Sequence, residues 1–188
     1  VDECVMGCVL QAGLGQNPAR QVGLKAGLPT TLSAKTINKV CGSGLEAVMI
    51  AAQSIKAGDN RCVIAGGIEN MTRAPHFAHV RAGIKFGDGA LVDHMQFDGL
   101  SCPFENWAMG CAADWTAEKN GVSRAEQDRF AAQSHQRAAK ATAEGWFKDE
   151  IVPFTVKTRK GETVVEDDEY VRHGATLEAM QKLRPAFD

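Results

Sequence analysis

Nowhere does this sequence run apolar for the ~18–20 residues that a helix needs to cross a bilayer, so no helical membrane anchor is expected within it. An excess of one charge is missing too. Its 21 Lys and Arg residues stand against 23 Asp and Glu, a net charge of -2, which leaves no electrostatic footprint for nucleic acid or an anionic membrane. There is no C-x-x-C pair and no Cys/His cluster with zinc-ligand spacing, so no metal centre is expected. The N-terminus lacks the marks of a secretory signal. It enters abruptly in VDECVMGCVL, as if a structure were already under way, and any targeting segment would precede Val1. Internal repeats and low-complexity tracts are absent as well.

The 188 residues are 44% hydrophobic and 23% charged, enough apolar material for a sizeable core in one ordinary globular domain or slightly more. Six cysteines are scattered along the chain, and Cys8 and Cys62 lie inside apolar runs. They read as buried, reduced thiols in a reducing compartment, which places the protein in the cytoplasm.

Residues 3–10 read as a short apolar strand, and Asn17-Pro18 opens a helix that Gly27 stops, Asn accepting from first-turn N–H groups and Pro fitting the first helical position. A second extended segment, 34–40, leads into Cys41. From Gly42 to Ala57 the spacing turns helical, with Leu45, Val48, Met49, Ala52 and Ile55 on one stripe and further apolar residues almost around the axis, which predicts a helix buried in a core. Residues 61–66 read as a buried strand broken by Gly66-Gly67. Strand–helix–strand–helix–strand argues for an α/β fold with both sheet faces covered. Residues 71–112 show little periodicity, and an irregular stretch of that length in a compact fold usually has a function. Ser123 and Glu126 form a capping box that opens a helix to about Ala143, with Phe130, Ala131, Ser134, Ala138 and Ala141 near one face. IVPFTVKT and ETVVEDDEYV then read as a hairpin turning at Arg159-Lys160-Gly161.

Cys41 is the first candidate for chemistry. It sits where a strand runs into a glycine-rich helix start, Val40-Cys41-Gly42-Ser43-Gly44. Backbone N–H groups at a helix N-terminus favour a thiolate and can hold an oxyanion on an attacked carbonyl, and the glycines let a substrate approach the backbone. The plain alternative is a small apolar residue at a strand–helix junction, and the residues alone leave both readings open.

INKVCGSGLEAV at 37–48 resembles the nucleophile segment of the thiolase family, in particular its acetoacetyl-CoA thiolases. GQNPARQ at 15–21, AGGIENM at 65–71, APHFAH at 74–79, SRAEQD at 123–128, EIVPF at 150–154 and RHGATLEAM at 172–180 agree in order and spacing. The resemblance covers essentially the whole chain. It implies a thiolase-like layered α/β core over residues 1–70, carrying the nucleophile, and an α+β loop domain over 71–188. It implies that Cys41 becomes acylated in a reversible Claisen condensation of two acetyl-CoA to acetoacetyl-CoA and CoA. It also implies coenzyme A contacts at Leu100, Met109, Arg172 and Phe187, although on their own the three apolar residues read as core and Arg172 as a solvated charge.

No cofactor is implied beyond coenzyme A thioesters as substrates. The loop Arg73–His94 resembles the segment that joins dimers into tetramers, which implies a homotetramer. The family's activating histidine and second cysteine belong to a C-terminal domain that these residues do not include, so the chain reads as part of a longer enzyme, inactive alone. Ala108 stands where short-chain thiolases carry histidine, and Ala179 where relatives carry serine, which implies altered acyl specificity or reduced activity. The alternatives are a non-catalytic thiolase-fold fragment that binds coenzyme A or a protein partner, and a hydrolytic cysteine enzyme, for which no histidine motif is present.

Overall fold

The computed structural model describes residues 1–187, and the chain divides into two compact units, Val1–Met109 and a second that starts at Gly110. This division by compactness falls inside the 71–188 stretch read from the sequence as one loop domain.

The first unit is built on β1 (Glu3–Gly7), α1 (Pro18–Lys25), β2 (Ser33–Ile37), α2 (Ser43–Ala57) and β3 (Val63–Gly67). The three strands form a parallel sheet in the order β2-β1-β3. The chain moves from β1 to one neighbour through α1 and then across β1 to the other through α2. Right-handed crossovers in opposite directions put the two helices on opposite faces. The side chains of β1 agree: Cys4 and Met6 join a core with Ala19 and Leu32 on the α1 side. Gly7 backs onto the start of α2, where an added Cβ would meet the Ser43 carbonyl carbon at 2.4 Å. Covered on both faces, all five residues of β1 are buried.

Asn17 caps α1 as expected, its side chain accepting from the Arg20 N–H at 3.3 Å and donating to the Ala34 carbonyl at 2.9 Å. Beyond β3 the unit holds a 3-10 turn (Met71–Arg73), a short antiparallel pair of β4 (His76–Phe77) with β5 (Val92–Asp93), and a π-type turn over Met95–Leu100. The stretch read as irregular is therefore punctuated by short elements, each too brief to show a period in the sequence.

Helix α3 (Met109–Lys119) starts on the last residue of the first unit, and the second unit continues with α4 (Arg124–Ala143), the hairpin of β6 (Phe154–Thr158) and β7 (Gly161–Val165), and α5 (Leu177–Gln181). The capping box at Ser123 and Glu126 is formed. The buried face of α4 carries Asp128, Ala132 and Ala141 rather than Phe130 and Ser134, which are exposed. Asp128 tolerates burial because the Arg124 Nε donates to it at 2.8 Å, while the same guanidinium donates to the Met180 and Leu183 carbonyls around α5. The hairpin turns at Arg159-Lys160 as expected, but its second strand ends at Val165, short of the predicted Val171.

Two further expectations are corrected. Helix α2 buries only Ser43, Ala47 and Ala51, while Leu45, Val48, Met49 and Ile55 are exposed. The sheet accepts the helix on its smallest side chains, so the large apolar residues face away from it. Cys62 is exposed and lies one residue ahead of β3, which is itself only partly buried, whereas Cys8 is buried.

Candidate active site

Strand β2 stops at Ile37, earlier than the spacing suggests, and the chain turns before it reaches Cys41. The N–H groups of Gly42 and Ser43 donate to the carbonyls of Lys39 and Val40, both at 3.1 Å. The Ser43 hydroxyl, almost fully buried, accepts from the Lys39 N–H at 2.8 Å and donates to the Val40 carbonyl at 2.6 Å. Held this way, Val40 has φ = +50°, a left-handed conformation unfavourable for a β-branched residue. Such strain costs on the order of 1–3 kcal/mol and persists only where surrounding bonds enforce it. The result is an exposed Cys41, one residue ahead of the helix cap Gly42. No side chain caps this helix start, and with the Ser43 N–H taken by Val40 the first-turn donors left without a backbone acceptor are those of Gly44 and Leu45.

Three glycines bring the helix start against the sheet. Gly7 and Gly67 lie at the carboxyl ends of β1 and β3, and Gly44 rests on Gly67, whose added Cβ would lie 3.4 Å from the Gly44 Cα. Their approach frames a cavity of about 350 Å³ with Cys41, Val9, Leu10, Glu69 and Leu100 in its wall. It therefore opens beyond the carboxyl ends of two adjacent parallel strands, β1 and β3, the end of the sheet at which α/β folds bind ligands. The wall is mostly apolar, and Glu69 is its charged member.

Glu69 is engaged. Its two oxygens accept from the Val9 and Leu10 N–H groups at 3.0 and 2.9 Å, and the Cys8 thiol lies 3.7 Å from one of them. Burial first, and the neighbouring Glu69 carboxylate second, push the Cys8 thiol up to about 11. Cys8 thus stays a thiol, while Cys41 is the exposed thiol at the cavity.

Of the residues implied as coenzyme A contacts, Leu100 shares the cavity with Cys41. Met109 lines an adjoining cavity of about 670 Å³ that meets the first at Val40 and Gly99. Arg172 and Phe187 belong to the second unit. There the exposed Arg172 donates its backbone N–H to His135 Nδ1 at 3.2 Å, and the Phe187 ring lies against Gly110. His94 is buried with both ring nitrogens occupied: Nδ1 is 2.5 Å from Asp98 Oδ2, and Nε2 accepts from the Ala12 N–H at 3.4 Å. It reads as a structural histidine. Among the described residues no group of three or more His, Cys, Asp or Glu could hold a metal ion, and no helix is long and apolar enough to cross a membrane.

The family profile described as thiolase, N-terminal domain, matches residues 1–188. The chain belongs to the thiolase family. It is 53% identical over 188 residues to an acetyl-CoA acetyltransferase of Rhizobium meliloti, covering all of this chain and 48% of the relative. It is 50% identical over 187 residues to the cytosolic acetyl-CoA acetyltransferase of Rattus norvegicus, covering 47% of it. The crystal structure of the Bacillus anthracis acetyl-CoA acetyltransferase superposes with a TM-score of 0.92 at 38% identity, over 100% of this chain and 48% of that one. The thiolase fold expected from the sequence is therefore present, and the chain spans about half the length of the curated relatives it matches.

Ser43, Val40 and Glu69 were not singled out by sequence reasoning. Ser43 had a signal, a short polar side chain at the first helical position, where such residues bond nearby backbone. A positive φ at a valine has none.

Proposed function

We propose that the protein carrying this chain is an acetyl-CoA acetyltransferase in which Cys41 is the nucleophile. The Cys41 thiolate attacks the carbonyl of acetyl-CoA, a new carbon–sulfur bond forms, and coenzyme A leaves as its thiolate. A second acetyl-CoA then loses its α proton. The carbanion attacks the acetyl-cysteine carbonyl, and the Cys41 thiolate departs as acetoacetyl-CoA forms. The observation that carries this reading is the exposed thiol at an uncapped helix start, in an apolar cavity at the strand ends. The open N–H groups there suit the oxyanion of each tetrahedral intermediate. The proton-transfer groups are assigned by family resemblance to a C-terminal domain outside these residues.

Leu100 and Met109 serve as apolar walls for the acyl and pantetheine portions, and Arg172 and Phe187 as contacts toward the nucleotide end of coenzyme A. Coenzyme A thioesters are substrates, and no further cofactor is needed. A homotetramer is proposed on the resemblance of the Arg73–His94 loop. The cytoplasm is proposed as the compartment, in keeping with the cytosolic rat relative. In the full-length protein, Cys41→Ser is expected to abolish the +42 Da acetyl adduct (one acetyl group replacing a thiol proton) seen by intact-mass spectrometry after incubation with acetyl-CoA. An adduct that survives the substitution would remove Cys41 from this role.

A further inference from the structure

The carboxylate in the cavity wall has no part in the chemistry proposed above, yet three groups from another loop converge on it. Glu69 follows β3, and its partners Cys8, Val9 and Leu10 follow β1. Two successive backbone N–H groups point at one carboxylate, the arrangement of a small anion nest, filled here by a side chain of the same chain. Two of the residues so held, Val9 and Leu10, form part of the wall of the cavity that holds Cys41. Leu10 is buried, and an added Cβ at Gly99 would lie 3.3 Å from its Cδ2, so a shift of this loop is felt by Gly99, a neighbouring part of the same wall. Nothing in the backbone hydrogen bonding replaces Glu69 at these two positions: β1 ends at Gly7, and the strand pairing ends with it.

We propose that Glu69 is a positioning residue that fixes the Val9–Leu10 wall and thereby limits the size of the group that can be seated on Cys41. The carboxylate supplies one acceptor oxygen to each N–H. Glutamine at this position keeps one oxygen and turns a donor amide toward the other N–H. Alanine leaves both unmet, so the wall relaxes away from Cys41 and longer chains are admitted. That the seated group is the acyl chain of a thioester rests on the function proposed above. The wall itself does not.

The test therefore reads the wall without catalysis. In the full-length protein, the rates at which methyl and hexyl methanethiosulfonate modify Cys41 are measured by peptide mass mapping for the parent, Glu69→Gln and Glu69→Ala. The expected result is a hexyl-to-methyl rate ratio raised about threefold or more by Glu69→Gln and further by Glu69→Ala. Where Glu69→Ala fails to fold, Leu10→Ala enlarges the same wall and is expected to raise the ratio too. A ratio unchanged in Glu69→Gln overturns the proposal whatever the melting temperature does, because a general loss of stability would speed both reagents alike. Acyl transfer by the parent is assayed separately with acetyl-CoA and butyryl-CoA. An inactive parent with a shifted reagent ratio rejects the acetyltransferase reading and keeps the wall. In an active parent, Glu69→Gln is expected to lower the preference for acetyl over butyryl in kcat/KM, and an unchanged preference rejects the role in acyl selection.

Discussion

At the scale of single residues, two thiols near one cavity are given different fates by their surroundings. Cys8 is buried beside a carboxylate and its titration is pushed from the ordinary 9.0 up to about 11, while Cys41 stands exposed on a strained turn. A folded-state value above the unfolded one means that the native chain holds the Cys8 proton more tightly. The stability this contributes is complete below pH 9 and is lost as pH rises toward 11. Denaturant titrations of the full-length protein between pH 8 and 11 should show this loss, and Cys8→Ala should flatten that part of the profile. An equally steep profile in the substituted protein would show that other groups cause it. The sequence marked both cysteines, one by its apolar run and one by its glycine-rich helix start. What it could not mark was Glu69, since the bonds that define that residue span about sixty positions of chain.

Among the elements, legibility followed the range of the interactions. The capping box of α4 and the Asn17-Pro18 start of α1 involve residues within one turn, and both formed as read. The hairpin turn at Arg159-Lys160 is equally local. The burial of α2 is not. Its apolar stripe suggested a core helix, but which face meets the sheet is decided by Gly7, Gly44 and Gly67, whose lack of side chains allows contact only along Ser43, Ala47 and Ala51. Gly7→Ala is the sharpest probe of this contact. The new Cβ would fall 2.4–2.6 Å from backbone atoms of Ser43 and Gly44, which have no flexible end to move aside. The cost should exceed the ~1–3 kcal/mol typical of overpacking, and the displaced helix start should slow Cys41 modification. A soluble, fully reactive Gly7→Ala protein with unchanged melting would mean that the helix and strand are not so closely apposed.

For the whole molecule, the surface is the informative quantity. Leu45, Val48, Met49, Phe86, Phe104, Phe130 and Tyr170 are all exposed, well beyond the scattered apolar residues that any surface carries. The chain expressed alone should therefore bind 8-anilinonaphthalene-1-sulfonate strongly and sediment as a concentration-dependent mixture of species. A clean monomer without dye binding would show that these residues find cover within the chain. Fold class was legible at this scale from element order and whole-chain resemblance. The extent of uncovered surface was not, because composition reports how much apolar material exists and not where it points.

The turn before Cys41 has a stereochemical consequence. Val40 is an L-amino acid held at φ = +50°, a region where its mirror image would be at ease. Inverting that one stereocentre by chemical ligation would relax the backbone under the nucleophile without altering a single side-chain atom type. Handedness at position 40 is thus a variable separate from residue identity, and the presentation of the thiol depends on both.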